Sequence, residues 1–323
     1  MRGRRVLVTG MGGELGSLVA SLVEATDWAG DILGFDVDPP RRLLRRSRFV
    51  RVGADERDRI SDLIETFNPH VILHVGVWEP HARLATDEAR HHTEIVAKAV
   101  FDAAHSAESL ETVAVRSGIE IYGAAAHSPR IAVESTPTAP DTVYGHMCAL
   151  IESKAVELRT ARGVNVCTLR LAPVLGAHVP SPLGRILRLP VVPYHGARNP
   201  VFCVVEDRDA ATAFVQAADR DADGTVNIVA NGAISMLRAT NIGKRIPLPT
   251  FGPGWSIARA VASAAGAPVP DHVADLISHG RLAASNEAAH LLRFAPAHST
   301  TEVIERLYMW PSVERVPARV QVA

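Results

Sequence analysis

The sequence predicts an α/β fold: a parallel sheet flanked by helices, with a smaller C-terminal lobe. Three observations carry that prediction. Short β-branched apolar runs alternate with longer amphipathic ones through the first half, the rhythm of βαβ units. The candidate strands are apolar nearly throughout, as expected when helices cover both faces of a sheet. A glycine-rich turn follows the first strand directly. A chain of 323 residues, 47% of them hydrophobic, can bury roughly three quarters of its unfolded surface and needs no disulfide or metal staple.

Taken in order, the apolar β-branched runs place strands at Arg5–Thr9, Asp31–Asp36, Phe49–Gly53, Val71–Val75 and Thr112–Ser117, and later at Val164–Leu171, Val201–Val205 and Thr225–Ile228. The amphipathic runs between them place helices at Glu14–Ala25, Arg57–Phe67, Thr86–His105, Thr142–Arg162 and Arg208–Ala218. After Leu171 the texture changes. Prolines 173, 180, 182, 190, 193 and 200 crowd a segment of little periodicity, and a second irregular stretch, Pro247 to Gly254, precedes a helical C-terminal region. The division expected is a larger domain over 1–171, to which 199–230 returns, and a smaller lobe from 172–198 and 231–323.

Composition narrows the function classes. The formal net charge is −1 and the pI is near 6.9, so no global field draws the chain to nucleic acid or to a membrane. Three Cys, far apart, make neither a disulfide framework nor a zinc spacing. The apolar run at the N-terminus, Val6–Val8, is too short for a signal peptide, and no later run approaches a membrane span. A cytoplasmic protein is expected. Only three Lys (Lys98, Lys154, Lys244) stand among 34 basic residues, so few are available for chemistry.

Thr9-Gly10-Met11-Gly12-Gly13-Glu14-Leu15-Gly16 joins a strand to a helix start. Gly10 permits the tight turn, Gly13 lets backbone approach a pyrophosphate at the helix N-terminus, and Gly16 lets the helix pack close on the sheet. Asp36 ends the next strand, 20 residues after Gly16, where an acid accepts ribose hydroxyls and repels a 2′-phosphate. The sheet is therefore expected to be Rossmann-type, with NAD favoured over NADP. Arg41, Arg42, Arg45, Arg46 and Arg48 follow, as a solvated helix face or as a 2′-phosphate site.

The Thr-Gly-x-x-Gly-x-x-Gly form of this turn resembles the extended short-chain dehydrogenase/reductase superfamily, and later segments resemble its NAD-dependent epimerase/dehydratase family. Ala54-Asp55, with Glu56, resembles the family's segment at the adenine. His74-Val75-Gly76 stands where the family has a strand end beside the cofactor. Ser117-Gly118-Ile119-Glu120-Ile121-Tyr122-Gly123 resembles Ser-Ser-x-x-Val-Tyr-Gly, and Pro140-x-x-x-Tyr144-Gly145 with Glu152 resembles the catalytic helix. Leu169–Gly176, containing Pro173, resembles the turn into the substrate lobe. Val205-Glu206-Asp207 and Leu291–Pro296 fit the late motifs. The ensemble resembles actinobacterial UDP-glucose 4-epimerase-like members of that family. The resemblance implies a nucleotide-sugar substrate, bound NAD and a homodimer.

The family's chemistry rests on a Tyr and a Lys four residues later, on one helix face roughly 6 Å apart. The ammonium lowers the Tyr pKa so that the phenolate takes a substrate proton, and a Ser or Thr hydroxyl completes the path. Here Tyr144 is in place, but position 148 is Cys and the hydroxyl position is Gly118. Lys154 lies ten residues on, about 15 Å along the helix. Ser117 adjoins the vacant position but, in a strand, should face the other way. Glu94 stands where the family has an Asn. Tyr144 is the expected acid/base, with Ser117 a weaker second. Cys148 reads as a small space-filling residue.

Other signals are weak. His70 with His74, His81, and His91-His92 with Glu94 lack the spacing of a metal site, and no Gly-x-Ser-x-Gly elbow is present. Arg170, Arg188 and Arg198 are candidate clamps for a substrate diphosphate. Two readings follow. One is an NAD-dependent nucleotide-sugar epimerase or dehydratase with an altered proton relay. The other is a catalytically inactive or regulatory dinucleotide-binding protein of the same fold.

Overall fold

A computed structural model describes residues 3–80, 84–124, 131–252 and 254–309. The first elements are β1 (Arg4–Thr9), α1 (Glu14–Glu24), β2 (Ala29–Asp36), β3 (Ser47–Arg51), α2 (Arg57–Phe67), β4 (Val71–His74), α3 (Thr86–Ala104), β5 (Thr112–Gly118), α4 (Val143–Arg162) and β6 (Asn165–Leu171). Next come β7 (Val174–Leu175), α5 (Pro182–Leu187), β8 (Val191–His195), β9 (Val201–Phe202), β10 (Val205–Glu206), α6 (Asp207–Asp219) and β11 (Gly224–Ile228). The last are β12 (Ile234–Ser235), α7 (Met236–Ile242), β13 (Ile246–Thr250), α8 (Gly254–Ala264), α9 (Asp271–His279), α10 (Asn286–Leu291) and α11 (Thr300–Met309).

Among the described residues the central sheet has seven strands in the order β11-β6-β5-β4-β1-β2-β3, each pair parallel. Successive residues of β1 serve opposite faces, as the two-residue strand period requires. Val6 and Val8 pack with Leu15, Leu18 and Phe214 of α1 and α6. Leu7 packs with Ile60, Val100 and Ile151 of α2, α3 and α4. The fold class read from the sequence is thus the one observed. A third cluster joins Leu183, Phe202, Met236, Ile277 and Leu307 from the later elements.

Three local expectations are corrected. Val201–Val205 is two strands, not one: β9 pairs antiparallel with β12, whereas β10 pairs parallel with β7. The stretch from Pro247 is not irregular, because β13 pairs parallel with β8 over Ile246–Thr250. Its prolines are tolerated since Ile246 N–H donates to Pro190 O at 3.0 Å, which turns the N–H positions of 247 and 249 away from the partner strand. The arginines at 41–48 form no helix. Instead Glu24 accepts the backbone N–H groups of Arg45, Arg46 and Ser47, and Arg46 donates to Glu24 O and Ala29 O.

One buried network ties α4 to the sheet. Arg170 Nη2 meets Glu152 Oε2 at 2.7 Å and its Nε meets Oε1 at 2.9 Å, a fork that suits a planar guanidinium. Arg170 Nη1 also donates to Tyr122 Oη, which donates to Asn227, and Ser117 Oγ donates to Glu152 Oε1 at 2.6 Å. Removing one partner strands a buried charge, so Arg170→Met is expected to cost about 3–5 kcal/mol of stability, measured by guanidinium unfolding. A loss under 1 kcal/mol would show the network to be dispensable.

Candidate functional site

The carboxyl ends of β1 and β4 open onto a cleft of about 220 Å³. Its floor is the glycine turn. Gly10 takes φ +71°, and a Cβ on it would stand 2.6 Å from Gly76 N. A Cβ on Gly16 would overlap the Gly10 carbonyl oxygen, so α1 lies directly on the turn. Gly13 caps α1 without a side-chain hydrogen bond, which leaves the first-turn N–H groups facing the cleft. Gly12 N–H donates to Asp36 Oδ2 at 2.9 Å and Val37 N–H to Oδ1 at 2.7 Å. Burial raises the Asp36 pKa, and these N–H groups work against that rise. Glu14, Leu15, Asp38, Arg41, Val75 and Gly76 complete this end of the cleft.

Some expected residues do not join it. His74 is fully buried behind the sheet end, its Nδ1 2.8 Å from Thr9 Oγ1 and its ring edge-on to Phe101. Burial pulls its pKa down to about 4, so it is a neutral core residue. Asp55 is exposed and lies 3.7 Å from His91 Nε2. Glu56 accepts Gly53 N–H and pairs with Arg59. Neither Asp55 nor Glu56 lines the cleft. Pro173 lines an inner chamber instead. Arg170 is committed to Glu152, which removes it as a diphosphate clamp; Arg188 donates to Leu307 O at 3.3 Å, and Arg198 is exposed. His81 lies outside the described residues. Among the described residues no three His, Cys, Asp or Glu side chains are placed to hold a metal ion, and no helix is long and apolar enough to cross a membrane.

Tyr144 lines the inner chamber, a space of about 30 Å³, together with Glu79, Arg116, Glu120 and His272. Thr142 caps α4 by accepting Gly145 N–H at 3.1 Å, which fixes the turn bearing Tyr144. Arg116 Nη2 donates to Tyr144 Oη at 3.2 Å. The His272 ring stacks on Tyr144 with centroids 4.7 Å apart, and its Nε2 is 3.0 Å from Glu79 Oε1. Burial holds the Tyr144 phenol well above its ordinary range, with the Arg116 charge opposing. Tyr144 is therefore neutral at pH 7. Burial also pushes the Cys148 thiol up, helped by Glu120 and Glu152, so it is no nucleophile. Ser117 spends its hydroxyl on Glu152.

Arg116 and Glu120 were not found by motif reasoning. Arg116 lines both the outer cleft and the chamber, and thus brings from β5 the cation that α4 lacks at position 148. A signal for it existed: residues 116 and 118 of one strand share a face. Glu120 follows on a 3₁₀ turn, Ile119–Tyr122. A Cβ at Gly118 would overlap its Oε2, so the carboxylate fills the hydroxyl position.

The seven-stranded parallel sheet and the glycine turn at its carboxyl edge define a Rossmann-like fold. Residues 6–231 match the model of the NAD dependent epimerase/dehydratase family, and the chain belongs to that family. An uncharacterized protein of Mycobacterium tuberculosis is 27% identical over 262 residues, 78% of this chain and 69% of its own length; a counterpart in Mycobacterium bovis matches equally. Among solved structures, UDP-glucose 4-epimerase of Thermotoga maritima with UDP-glucose superposes with a TM-score of 0.74 at 15% identity, covering 95% of this chain and 98% of that one. UDP-glucose 4-epimerase of Brucella ovis with NAD gives 0.73 at 19% identity, over 94% and 97%. UDP-glucuronic acid 4-epimerase of Bacillus cereus with NAD gives 0.72 at 16%, over 95% and 98%. At these identities the likeness is one of fold.

Cys148, Cys167 and Cys203 are buried, and burial raises the Cys167 pKa to about 12 and that of Cys203 to about 11. A colorimetric thiol assay at pH 8 is expected to read no reactive thiol in the folded protein and three in guanidinium. A fast-reacting native thiol would contradict the burial of Cys148.

Proposed function

We propose that this chain is an NAD-dependent oxidoreductase of the epimerase/dehydratase type acting on a nucleotide sugar, with Tyr144 as the hydrogen-bond donor to the reacting oxygen and Arg116 as the cation beside it. The observation that carries the reading is the contact between Arg116 and Tyr144 Oη at the inner end of a glycine-floored cleft. The residues fit a dinucleotide: Gly12 and Gly13 leave backbone bare, the α1 N–H groups are uncapped, and Asp36 keeps lone pairs free for ribose hydroxyls. Asp38 beside Asp36 adds a second negative charge against a 2′-phosphate, which supports NAD over NADP. When bound, the dinucleotide supplies a two-electron hydride acceptor.

This chain's own groups then handle the oxygen. Tyr144 donates a hydrogen bond to the reacting oxygen and keeps hold of it as the charge on that oxygen changes. Arg116 sets the direction of the phenol and stabilises the oxygen charge that develops, in a site whose burial strengthens the interaction. His272 braces the ring from the other side, held by Glu79. Such a site has no need of a thiolate at 148.

A second reading, a regulatory dinucleotide-binding protein without turnover, is favoured by the small chamber and by the absence of the Lys and hydroxyl. The two separate in one assay. The protein is incubated with NAD and UDP-, GDP- and dTDP-sugars, with nicotinamide absorbance and product mass followed. Turnover is expected, reduced at least about 100-fold by Tyr144→Phe. Arg116→Met removes a hydrogen bond to a charged group, about 2 kcal/mol or some 30-fold in kcat/KM, with NAD affinity kept. Dinucleotide binding with no turnover across the panel would establish the second reading. As a check on the cleft itself, Gly16→Ala should abolish NAD binding in calorimetry; unimpaired binding would rule out the glycine turn as the site.

A further inference from the structure

Oxidation of an alcohol releases a hydride from carbon and a proton from oxygen. The proton needs an acceptor, and Tyr144 already holds its own. The chamber offers another group. Gly118 leaves a gap on the face of β5 beside α4, and the 3₁₀ turn at Ile119–Tyr122 folds Glu120 back into it. The missing Cβ of Gly118 would overlap Glu120 Oε2, and would stand 3.3 Å from Tyr144 Cε1 and 3.5 Å from Cys148 Sγ. The carboxylate, the Tyr144 ring and Cys148 therefore converge on the space that a Gly118 side chain would occupy, and the carboxylate takes the place of the absent hydroxyl.

Glu120 is only 5% exposed, yet it lines the chamber, and among the described residues its carboxylate has no side-chain hydrogen-bond partner. A buried carboxylate without a side-chain partner is costly to keep, and such groups cluster where chemistry uses them. The charged and titratable groups facing it come from every adjoining element: Glu79 after β4, Arg116 on β5, Tyr144 and Cys148 on α4, His272 on α9 and Arg281 beyond it. Burial raises the Glu120 pKa above the ordinary carboxylate range; Arg281 and His272 oppose that rise, and Glu79 adds to it.

We propose that Glu120 is a catalytic residue of this chain, the base that receives the hydroxyl proton of the substrate alcohol. The inference rests on the oxidoreductase reading above. In the oxidative step the substrate O–H and C–H bonds break and the C=O bond forms. The proton makes a new O–H bond on Glu120, and the hydride with its electron pair passes to the oxidised nicotinamide dinucleotide. Tyr144 and Arg116 hold the same oxygen throughout. In the reductive step the hydride returns to carbon and the Glu120 proton returns to oxygen. A chamber of about 30 Å³ has room for a water molecule, so a relaying water or the hydroxyl itself reaches Glu120 while the sugar ring stays in the outer cleft.

The test uses the full-length protein and has two arms. The first needs no turnover. Carboxyl carbons of ¹³C-labelled glutamate are titrated by NMR in wild type and Glu120→Gln, and tyrosinate absorbance near 295 nm is titrated in both and in Tyr144→Phe. The expected result is a carboxyl resonance with a midpoint above the ordinary 4.3 or so that vanishes in Glu120→Gln, and a Tyr144 transition at lower pH in that variant. An ordinary midpoint, or an unmoved Tyr144 transition, overturns the proposal. The second arm is kinetic. Glu120→Gln is expected to lose at least about 100-fold in kcat and the acid limb of the pH profile, with NAD affinity within twofold. Glu120→Asp keeps the limb and part of the rate, and it decides the matter if the Gln variant does not fold. Turnover lost in Tyr144→Phe but within threefold of wild type in Glu120→Gln overturns the role of Glu120 alone. No turnover in wild type overturns the oxidoreductase reading, and this base with it.

Discussion

Backbone packed against backbone at the carboxyl ends of β1 and β4 is the constraint from which the site follows. Gly10 lies against Gly76, and Gly16 lies against the Gly10 carbonyl, so a strand, a helix and a second strand meet with no side chain between them. That closeness puts the start of α1 at the sheet's edge and draws Asp36 within reach of Gly12 N–H. A single methyl group at position 16 would lever α1 away from the sheet and open the cleft floor.

The interior charges explain how a chain with so few lysines can still place a cation beside a buried tyrosine. Arg116 reaches Tyr144 from the sheet rather than from the tyrosine's own helix. A guanidinium is less strongly hydrated than an ammonium and stays protonated wherever it is buried, so it suits this depth. It shares the chamber with two carboxylates, Glu79 and Glu120, and an imidazole, His272. Arg170 does related work one layer away, where its whole fork is satisfied by Glu152 and Tyr122. One arginine holds the helix in place, and the other faces the chamber.

The sheet and the glycine turn were legible in the sequence because they depend on local pattern: runs of β-branched residues, strand–turn–helix order, and an acid at the end of β2. The position of Tyr144 in the first turn of α4 was legible for the same reason. Asp55, Glu56 and His74 were not, since whether they meet the cleft depends on how the chain leaves β3 and β4. His74 turns inward to Thr9 by strand alternation, and Asp55 turns outward at the mouth of α2. Glu120 was hidden differently. Its role depends on a vacancy two residues earlier, and a missing side chain gives no pattern to read. The proline-rich stretches misled because proline was taken as a breaker, whereas β13 places it at alternate positions.

Those alternate prolines have a consequence for the molecule in company. A free strand edge is a template on which other chains can add themselves, and the usual defence is charge or a twist. The outer edge of β13 has a different protection. Ile246 and Leu248 are exposed apolar side chains that would otherwise invite an incoming strand. With Pro247 and Pro249 at the outward positions, that edge has carbonyls but no N–H to offer. A neighbour could therefore make only half a ladder, and the strand can remain apolar without seeding aggregates.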